Sequence, residues 1–424
     1  MTTRLNYGKT FLLGFGFFGV SVIWGVYNAF VPIFLSDKFG LSAVMVGFFM
    51  TLDNIAALFI QPFASSWSDR IRTPLGRRIP FILIGAPISA FAFGLIPIAA
   101  ILPLFVACTS TLLLSAAIWR TPVIALMPDI TPSQFRSQAN GVINFMGGIG
   151  AIIALQTGGI LYKMNPGFPF WLGSGLVLLA ALIVYLFIEE PKDYEQNDTQ
   201  PGILASLREV LTSEDKSGLR ILFAIFFWFI GYSAVDTFFT LYAKNHLGIN
   251  EGDGATLLSV LPLFFILFAI PSGFLAGRIG RRTTISIGLI TISLMLILLY
   301  VTPASALLTG IAPLPLVGIP LVEGGTRMLT LAGVFLMIAG AAWAFVNINS
   351  LPMVVDLTSA ARIGTFTGLY YLFSTLSAIV GPNLNGWAIQ LTGNNFNIVM
   401  LIAPVFMLIA LWLMLGVKRG EATA

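Results

Sequence analysis

The chain has 424 residues, of which 57% are hydrophobic and only 9% are charged. Soluble globular domains carry about 25% charged residues, so this composition excludes a water-soluble enzyme and indicates an integral membrane protein. The net charge of +4 says little about function by itself; the positions of the charged residues along the chain are more informative. The single cysteine, Cys108, and the single histidine, His246, predict neither an internal disulfide nor a metal site, and no cofactor is implied.

Runs of about 20 apolar residues, bounded by charges or by Pro and Gly, predict transmembrane helices. Twelve such runs follow one another, near residues 10–34, 42–66, 80–100, 103–127, 139–162, 169–188, 219–243, 254–277, 283–302, 330–354, 363–389 and 396–416. We therefore predict an all-α membrane protein of twelve transmembrane helices in two pseudo-symmetric bundles. The first six-helix bundle covers residues 1–188 and the second covers 219–424, with a cytoplasmic linker loop at 189–218 between them.

The lysines and arginines are distributed unequally between the two sides of the predicted spans. With the N-terminus inside, 17 of the 22 fall on the cytoplasmic side, four on the outer side, and Arg120 inside a span. Because cytoplasmic loops carry an excess of Lys and Arg, we expect both termini and the long linker to be cytoplasmic.

Three charged side chains fall deep inside predicted spans, where a charge costs at least about 2.5–3.5 kcal/mol and marks a candidate functional residue. They are Asp53 in the second span, Arg120 in the fourth and Asp236 in the seventh. A carboxylate in apolar surroundings can take up a proton near neutral pH, which makes Asp53 and Asp236 the candidate proton-coupling residues. The forked guanidinium of Arg120 suits a sugar diol or a carboxylate. The alternatives are a structural ion pair between Asp53 and Arg120 and a structural hydrogen bond at Asp236.

Aromatic and amide side chains supply the other candidate substrate contacts. Trp24 and Asn28 lie in the first span, and Trp343 and Asn347 share one face of the tenth because they are four residues apart. A sugar has flat C–H surfaces for aromatic rings and hydroxyls for amides. The same residue types also hold membrane helices together, so packing is the alternative role.

The two halves of the chain repeat one another. Ser65 and Asp69 precede a first Gly-Arg-Arg triplet, and Gly273 and Gly277, which have the same four-residue spacing, precede a second. Two further correspondences in the same order support a duplicated six-helix bundle. Repeats of this kind place the substrate site between the halves, near the bilayer midplane.

The run SDRIRTPLGRR at residues 68–78 resembles the cytoplasmic loop signature of the major facilitator superfamily. With Gln61-Pro62 before it and Pro80-Phe81 after it, the string resembles the glycoside transporters related to plant sucrose–proton symporters. The resemblance implies alternating access, a bacterial inner membrane and a cytoplasmic gate. The gate residues that it implies are Asp69, Arg70, Arg77, Arg78, Asp129, Arg136, Asp356 and Arg362. The alternative role of these arginines is to fix the orientation in the membrane.

The chain departs from this group at several positions. Thr109 stands where the plant symporters have an acidic residue before the arginine of span four, and Phe238 replaces their second acidic residue in span seven. Ala57 and Gln61 occupy the positions of the paired carboxylates with which melibiose-type relatives bind sodium. Protons are therefore the favoured coupling ion.

These features predict a secondary transporter that is not an enzyme, most simply a proton-coupled sugar symporter for a glucoside or a hexose. The alternative is a proton-driven exporter or exchanger of other small molecules, amphiphilic ones included. The expected partners are the substrate, protons and the lipid bilayer, with no nucleic acid, and the expected functional unit is a monomer. A membrane glycosyltransferase is disfavoured because the sequence has no paired acidic metal motif, and a sugar-sensing receptor would not accumulate substrate.

Overall fold

The computed structural model describes residues 6–71, 73–131, 136–190, 207, 210, 212, 215–315, 318–320, 325–357 and 363–419. Within these ranges, eleven helical segments are long and apolar enough to cross a membrane. The helix Ile363–Leu391 covers the remaining predicted span at 363–389. The predicted all-helical membrane fold is confirmed, and most helix ends lie within three residues of the predicted bounds.

One compact unit comprises Met1–Leu41, Leu52–Gln196 and Glu251–Ser259. Numbered along the chain, its helices are α1 (Tyr7–Ile33), α3 (Leu52–Arg70), α4 (Ile79–Leu95), α5 (Leu102–Ile130), α6 (Arg136–Met164), α7 (Phe168–Phe187) and α9 (Glu251–Leu258). Helix α1 packs on α6 and α7 and buries a long face. At one end of this contact the rings of Phe30 and Tyr162 stack, with centroids 4.5 Å apart.

The second unit comprises Ser42–Thr51, Asn197–Asn250 and Val260–Ala424. Its described helices are α2 (Ala43–Phe49), α8 (Ser217–Tyr242), α10 (Val260–Ile279), α11 (Arg281–Val301), α12 (Ala304–Leu307), α13 (Leu331–Val355), α14 (Ile363–Leu391) and α15 (Val399–Leu415). A small antiparallel sheet that the sequence did not predict joins α12 to α13. Its strands are β1 (Gly310–Pro313), β2 (Ile319–Pro320) and β3 (Arg327–Thr330), in the order β1-β3-β2.

Spans two and eight are each broken into two helices at equivalent places in the internal repeat. The 208-residue offset between Ser65 and Gly273 maps Thr51, between α2 and α3, onto Ser259, between α9 and α10. The Thr51 hydroxyl donates to the carbonyl of Phe48 (2.7 Å), and the Ser259 hydroxyl donates to that of Thr256 (2.6 Å). Such back-bonding from a hydroxyl side chain can bend a helix, and it is present at both breaks.

Each break divides its span between the two units. Helix α3 belongs to the first unit and α2 to the second, whereas α9 belongs to the first unit and α10 to the second. The sequence-based division at 189–218 remains a prediction, because residues 191–206 lie outside the described ranges.

Within the first unit, α9 packs directly on α6 through two glycines. A Cβ at Gly159 would overlap the carbonyl oxygen of Gly252, and a Cβ at Gly252 would overlap that of Gly159. Polar contacts lie on either side of the glycines. The Ser259 hydroxyl lies 2.7 Å from Gln156 Oε1, within hydrogen-bond distance, and Lys163 forms an ion pair with the buried Asp253. We call this contact the α6–α9 seam.

A second glycine contact joins α2 to α14 within the other unit. A Cβ at Gly47 would overlap the carbonyl oxygen of Pro382, and a Cβ at Gly386 would lie 2.5 Å from that of Ala43. Small residues let helix backbones approach closely in membranes, where packing rather than the hydrophobic effect drives association. The short helices of both broken spans, α2 and α9, are therefore each held by a close glycine contact with a neighbouring helix.

The start of α8 and the end of α15 are bound together in the second unit. Arg220 donates to the carbonyl of Gly416, and the amide of Lys418 donates to the Ser217 hydroxyl (3.0 Å). The backbone N–H and the hydroxyl of Ser217 both donate to Asp215, which lowers the pKa of that carboxyl below its ordinary value.

Candidate functional site

Arg120 and Trp24, two of the predicted substrate contacts, come together in the first unit. Arg120 projects from α5 so that its Cζ lies 5.9 Å from the ring centroid of Trp24 on α1. This separation is within the range of a cation–π interaction. The edge of Tyr27, three residues further along α1, meets the Trp24 ring at 83°, with centroids 5.7 Å apart. The guanidinium thus lies against an aromatic pair.

The neighbouring Trp119 fixes the rotation of α5. Its side chain is 2% exposed, and its Nε1–H donates to the Ser89 hydroxyl of α4 at 2.9 Å. A Cβ at Gly85 would lie 2.7 Å from Trp119 Cβ, so α4 and α5 are in close contact there. Successive helical side chains point about 100° apart, so the packing of Trp119 against α4 turns Arg120 away from α4.

We expect Ser89→Ala to lower the stability of the protein. The variant leaves the buried indole N–H of Trp119 without an acceptor, which costs about 1–3 kcal/mol. Thermal unfolding in detergent micelles measures this loss. Equal melting temperatures for wild type and Ser89→Ala would show that this hydrogen bond does not hold α5.

The structure describes the other candidate residues of the first unit only in part. Asn28 lies half-buried on α1, four residues from Trp24 and on the same face. Asp53 lies near the start of α3, but its side chain is outside the described part of the chain. Its pairing with Arg120 and its role in proton coupling therefore remain predictions.

In the second unit, Trp343 is packed between aromatic rings. Its ring stacks on Tyr232 of α8, with centroids 4.3 Å apart and planes 10° apart, and Phe229 meets it edge-on at 5.5 Å. Trp343 is 5% exposed, so its ring is covered. Asn347, one turn further along α13, is half-buried.

Asp236 lies on α8 one turn after Tyr232, and it is half-buried. Residues four apart on a helix are neighbours, so Asp236 lies on the face of α8 that carries Tyr232, whose ring stacks on Trp343. The sequence identified Asp236 and Trp343 but not the two rings between them. The four-residue spacing of Tyr232 and Asp236 was the available signal.

Four of the predicted gate residues lie in two ion-pair groups. Arg77 Nη2 lies 2.8 Å from one oxygen of Asp129, and Arg78 Nε lies 2.9 Å from the other, so one carboxylate bridges two guanidiniums. Arg78 also donates to the buried Ser68 hydroxyl. Glu190 completes the group, because its carboxylate accepts the backbone N–H of Arg78 at 2.8 Å and lies 4.0 Å from Arg77 Nε.

Glu190 was not identified from the sequence. Its side chain has no exposed surface, although the residue stands at the start of the hydrophilic linker. It also accepts the backbone N–H of Ile79 (3.2 Å), so the carboxylate caps the N-terminus of α4. Gly76, at φ +103°, leaves room for the cap, because a Cβ there would overlap the Glu190 carboxylate.

The second copy of the gate motif holds a simpler contact, an ion pair between Arg281 and Asp356. Arg362 and the side chains of Asp69, Arg70 and Arg136 lie outside the described residues, so their gating roles remain predictions. Within the described part of the chain, no group of three or more His, Cys, Asp or Glu residues could hold a metal ion.

Comparison with known proteins decides the family. The family model described as "Major Facilitator Superfamily" matches residues 13–330, which is most of the chain. The chain belongs to the Major Facilitator Superfamily. It is a multi-pass membrane transporter of small molecules, as the sequence predicted.

Two of the similar curated proteins come from Bacillus subtilis (strain 168). Multidrug resistance protein 2 is 25% identical over 65% of this chain and 67% of its own length, and Multidrug resistance protein 1 is 26% identical over 53% and 56%. The Quinolone resistance protein NorA of Staphylococcus aureus (strain MSSA476) is 23% identical over 62% and 65%. The matches thus span about two thirds or less of these relatives. The narrower resemblance to sucrose–proton symporters is not confirmed by them.

Solved structures show the same fold. The nucleoside transporter NupG has a TM-score of 0.73 at 16% identity and covers 97% of this chain and 100% of its own. A bacterial homolog of the human lysosomal transporter Spinster, inward-facing and occupied, has a TM-score of 0.73 at 15% identity and covers 97% of each chain. At these identities the likeness concerns the fold alone.

Proposed function

We propose that this superfamily member is a proton-driven exporter of small amphiphilic molecules in the bacterial plasma membrane, with both termini in the cytoplasm. The observation that carries the proposal is the position of Asp236 one turn after Tyr232 on α8, the helix whose Phe229 and Tyr232 rings pack against Trp343. A carboxylate next to stacked rings suits a molecule with an apolar body and a positive charge. The names of the multidrug and quinolone resistance relatives support the same substrate class.

Asp236 gives this exporter a simple means of coupling. The ionised carboxylate pairs with a cationic substrate, and the protonated carboxylate does not, so substrate and proton compete for one group. Each proton that enters therefore releases a substrate molecule. A charged group that is retained inside a membrane span despite its insertion cost fits such a role.

A proton-coupled sugar symporter is the second candidate. The signature at residues 68–78 and the half-buried amides of Asn28 and Asn347 favour it. The relatives favour it less, because they are named multidrug and quinolone resistance proteins.

Reconstituted vesicles distinguish the two functions. We expect tetraphenylphosphonium to accumulate in vesicles with an acidic interior, and Asp236→Asn to reduce that accumulation at least about tenfold, which corresponds to 1.4 kcal/mol. The matched control is Glu189→Gln, which changes an exposed carboxylate outside the predicted spans. Accumulation of sucrose or maltose under an inward proton gradient, without transport of the cation, would replace the exporter with the symporter.

A further inference from the structure

The contact between the start of α8 and the end of α15 lies at the edge of the membrane-spanning part of the second unit. One span begins at Ser217 and the other ends at Leu415. Arg220 donates to the carbonyl of Gly416, and the backbone amide of Lys418 donates to the Ser217 hydroxyl (3.0 Å), so the two ends are held side by side. Residues at the ends of spans lie in the polar headgroup region that borders the hydrocarbon core.

This contact presents a surface with excess positive charge. We call segments 215–220 and 416–419 together the α8–α15 basic surface. Four exposed basic side chains lie on it: Lys216, Arg220, Lys418 and Arg419. Arg419 lies 3.6 Å from Asp215, which is the one acidic residue in these described segments. Four positive charges against one negative charge leave a net charge of +3 on the surface.

The corresponding place in the first unit has the opposite charge. The first charged residues after its last span, α7, are Glu189 and Glu190. The first charged residues after α15, the last span of the second unit, are Lys418 and Arg419. Both ends lie on the same predicted side of the membrane. Orientation, which depends on the Lys and Arg bias summed over the loops, therefore does not require a basic surface at this place.

Arg220 is placed to bind a phosphate group. Its Nη1 donates to the Gly416 carbonyl, and within the described residues this is the one hydrogen bond that its exposed guanidinium makes. Gly416 gives the guanidinium its room, because a Cβ there would lie 2.7 Å from Arg220 Cζ. The planar fork of an arginine matches phosphate with two parallel hydrogen bonds, and a nearby lysine such as Lys418 adds a mobile point charge.

An exposed indole lies one turn before this surface. Trp412 of α15 is 72% exposed and stands four residues before Gly416, so both lie on one face of the helix. At a rise of 1.5 Å per residue, Trp412 lies about 6 Å deeper in the membrane than Gly416. Tryptophan is enriched at membrane interfaces, where its apolar ring meets lipid. A ligand that contacts both Trp412 and Arg220 needs an apolar part on the membrane side and a charged group beyond it.

We propose that the α8–α15 basic surface binds the headgroup of an anionic phospholipid, with the phosphate on Arg220 and Lys418 and the acyl chains along Trp412. A zwitterionic headgroup brings its own cation to a surface that already has excess positive charge, so the anionic lipid is preferred. The bound lipid then joins the first and the last span of the second unit. This inference does not depend on which molecule the protein transports.

Native mass spectrometry of the full-length protein tests the proposal. The protein is released from detergent micelles that contain equal amounts of phosphatidylglycerol and phosphatidylcholine with identical acyl chains. Each Lys or Arg near an anionic surface contributes about fivefold in affinity, so the wild type should retain phosphatidylglycerol at least about twentyfold over phosphatidylcholine. Arg220→Gln should lower this ratio about fivefold, and Lys418→Gln/Arg419→Gln should lower it at least about tenfold.

Two controls accompany these variants. Arg278→Gln also removes one exposed positive charge, but at the end of α10 and outside the basic surface. Because surface electrostatics falls off within a Debye length, its ratio should stay within about twofold of the wild type. Glycerophosphoglycerol, which has the phosphodiester of phosphatidylglycerol but no acyl chains, should not displace the lipid at an equal concentration.

The proposal is overturned if the wild type retains both lipids equally, or if both variants of the basic surface keep the wild-type ratio. An equal fall in Arg278→Gln would show a general effect of positive charge, and displacement by glycerophosphoglycerol would show a site for free phosphodiesters; either result also rejects the lipid site. Melting temperatures show that the variants are folded. Lys418→Gln/Arg419→Gln leaves the contact between Arg220 and Gly416 in place, so it provides the readout if Arg220→Gln does not fold.

Discussion

Replacing Gly159 with alanine should open the α6–α9 seam and lower the stability of the first unit. The new Cβ would overlap the carbonyl oxygen of Gly252, which is backbone and cannot rotate away. Helix α9 must therefore move, and the contacts beside the glycines move with it. Overpacking of this kind costs about 1–3 kcal/mol, and the lost hydrogen bond between Ser259 and Gln156 adds about 1 kcal/mol.

The same helix provides the matched control. A Cβ at Gly141, which is also on α6, would meet nothing within 4 Å. Alanine is the better helix former by about 1 kcal/mol, so Gly141→Ala should be neutral or stabilising. Thermal unfolding of the two variants in detergent measures the difference. If Gly159→Ala unfolds at or above the temperature of Gly141→Ala, the close approach of α6 and α9 is not what holds the seam.

The helix breaks at Thr51 and Ser259 are a feature of the fold that the sequence did not predict. Hydropathy identifies spans because the bilayer demands long apolar runs, and the predicted and observed helices agree for that reason. Thr51 and Ser259 do not interrupt those runs, so the breaks there were not predicted. At both breaks a hydroxyl group bonds to the preceding turn, and glycines of the short helices contact distant helices. Neither feature changes the hydropathy of a local window.

In the candidate site, too, the sequence predicted some residues but not how they pack. Arg120, Trp24 and Asp236 were identified because charged and aromatic residues inside spans are rare and costly. The covering of Trp343 by Tyr232 was not predicted, because it depends on how α8 and α13 rotate against each other. The sequence predicts which residues share one face of a helix, but it does not predict which other helix packs against that face.

Glu190 was missed for the same reason, since 112 positions along the chain separate it from Arg78. Its replacement by alanine should strongly lower the stability of the ion-pair group that Glu190 forms with Arg77, Arg78 and Asp129. The carboxylate has no exposed surface, caps two backbone N–H groups and lies beside Arg77. Removing one partner from a buried charged group costs about 3–5 kcal/mol.

The exposed neighbour Glu189 is the control, and Glu189→Ala should change the free energy of unfolding by less than about 0.5 kcal/mol. The midpoint of denaturant unfolding measures each variant. A Glu190→Ala midpoint equal to that of Glu189→Ala would falsify the capping role.

The variant Glu190→Gln distinguishes two contributions of Glu190 to stability: the hydrogen bonds that cap α4 and the negative charge beside Arg77. The amide oxygen of glutamine can still accept a backbone N–H from Arg78 or Ile79, but it carries no charge to balance Arg77. Asp129 already bridges Arg77 and Arg78, so part of the positive charge is balanced without Glu190. The Gln variant should therefore lose less than half of what the Ala variant loses. A loss as large as that of Ala would mean that the charge, and not the cap, is what Glu190 contributes to the start of α4.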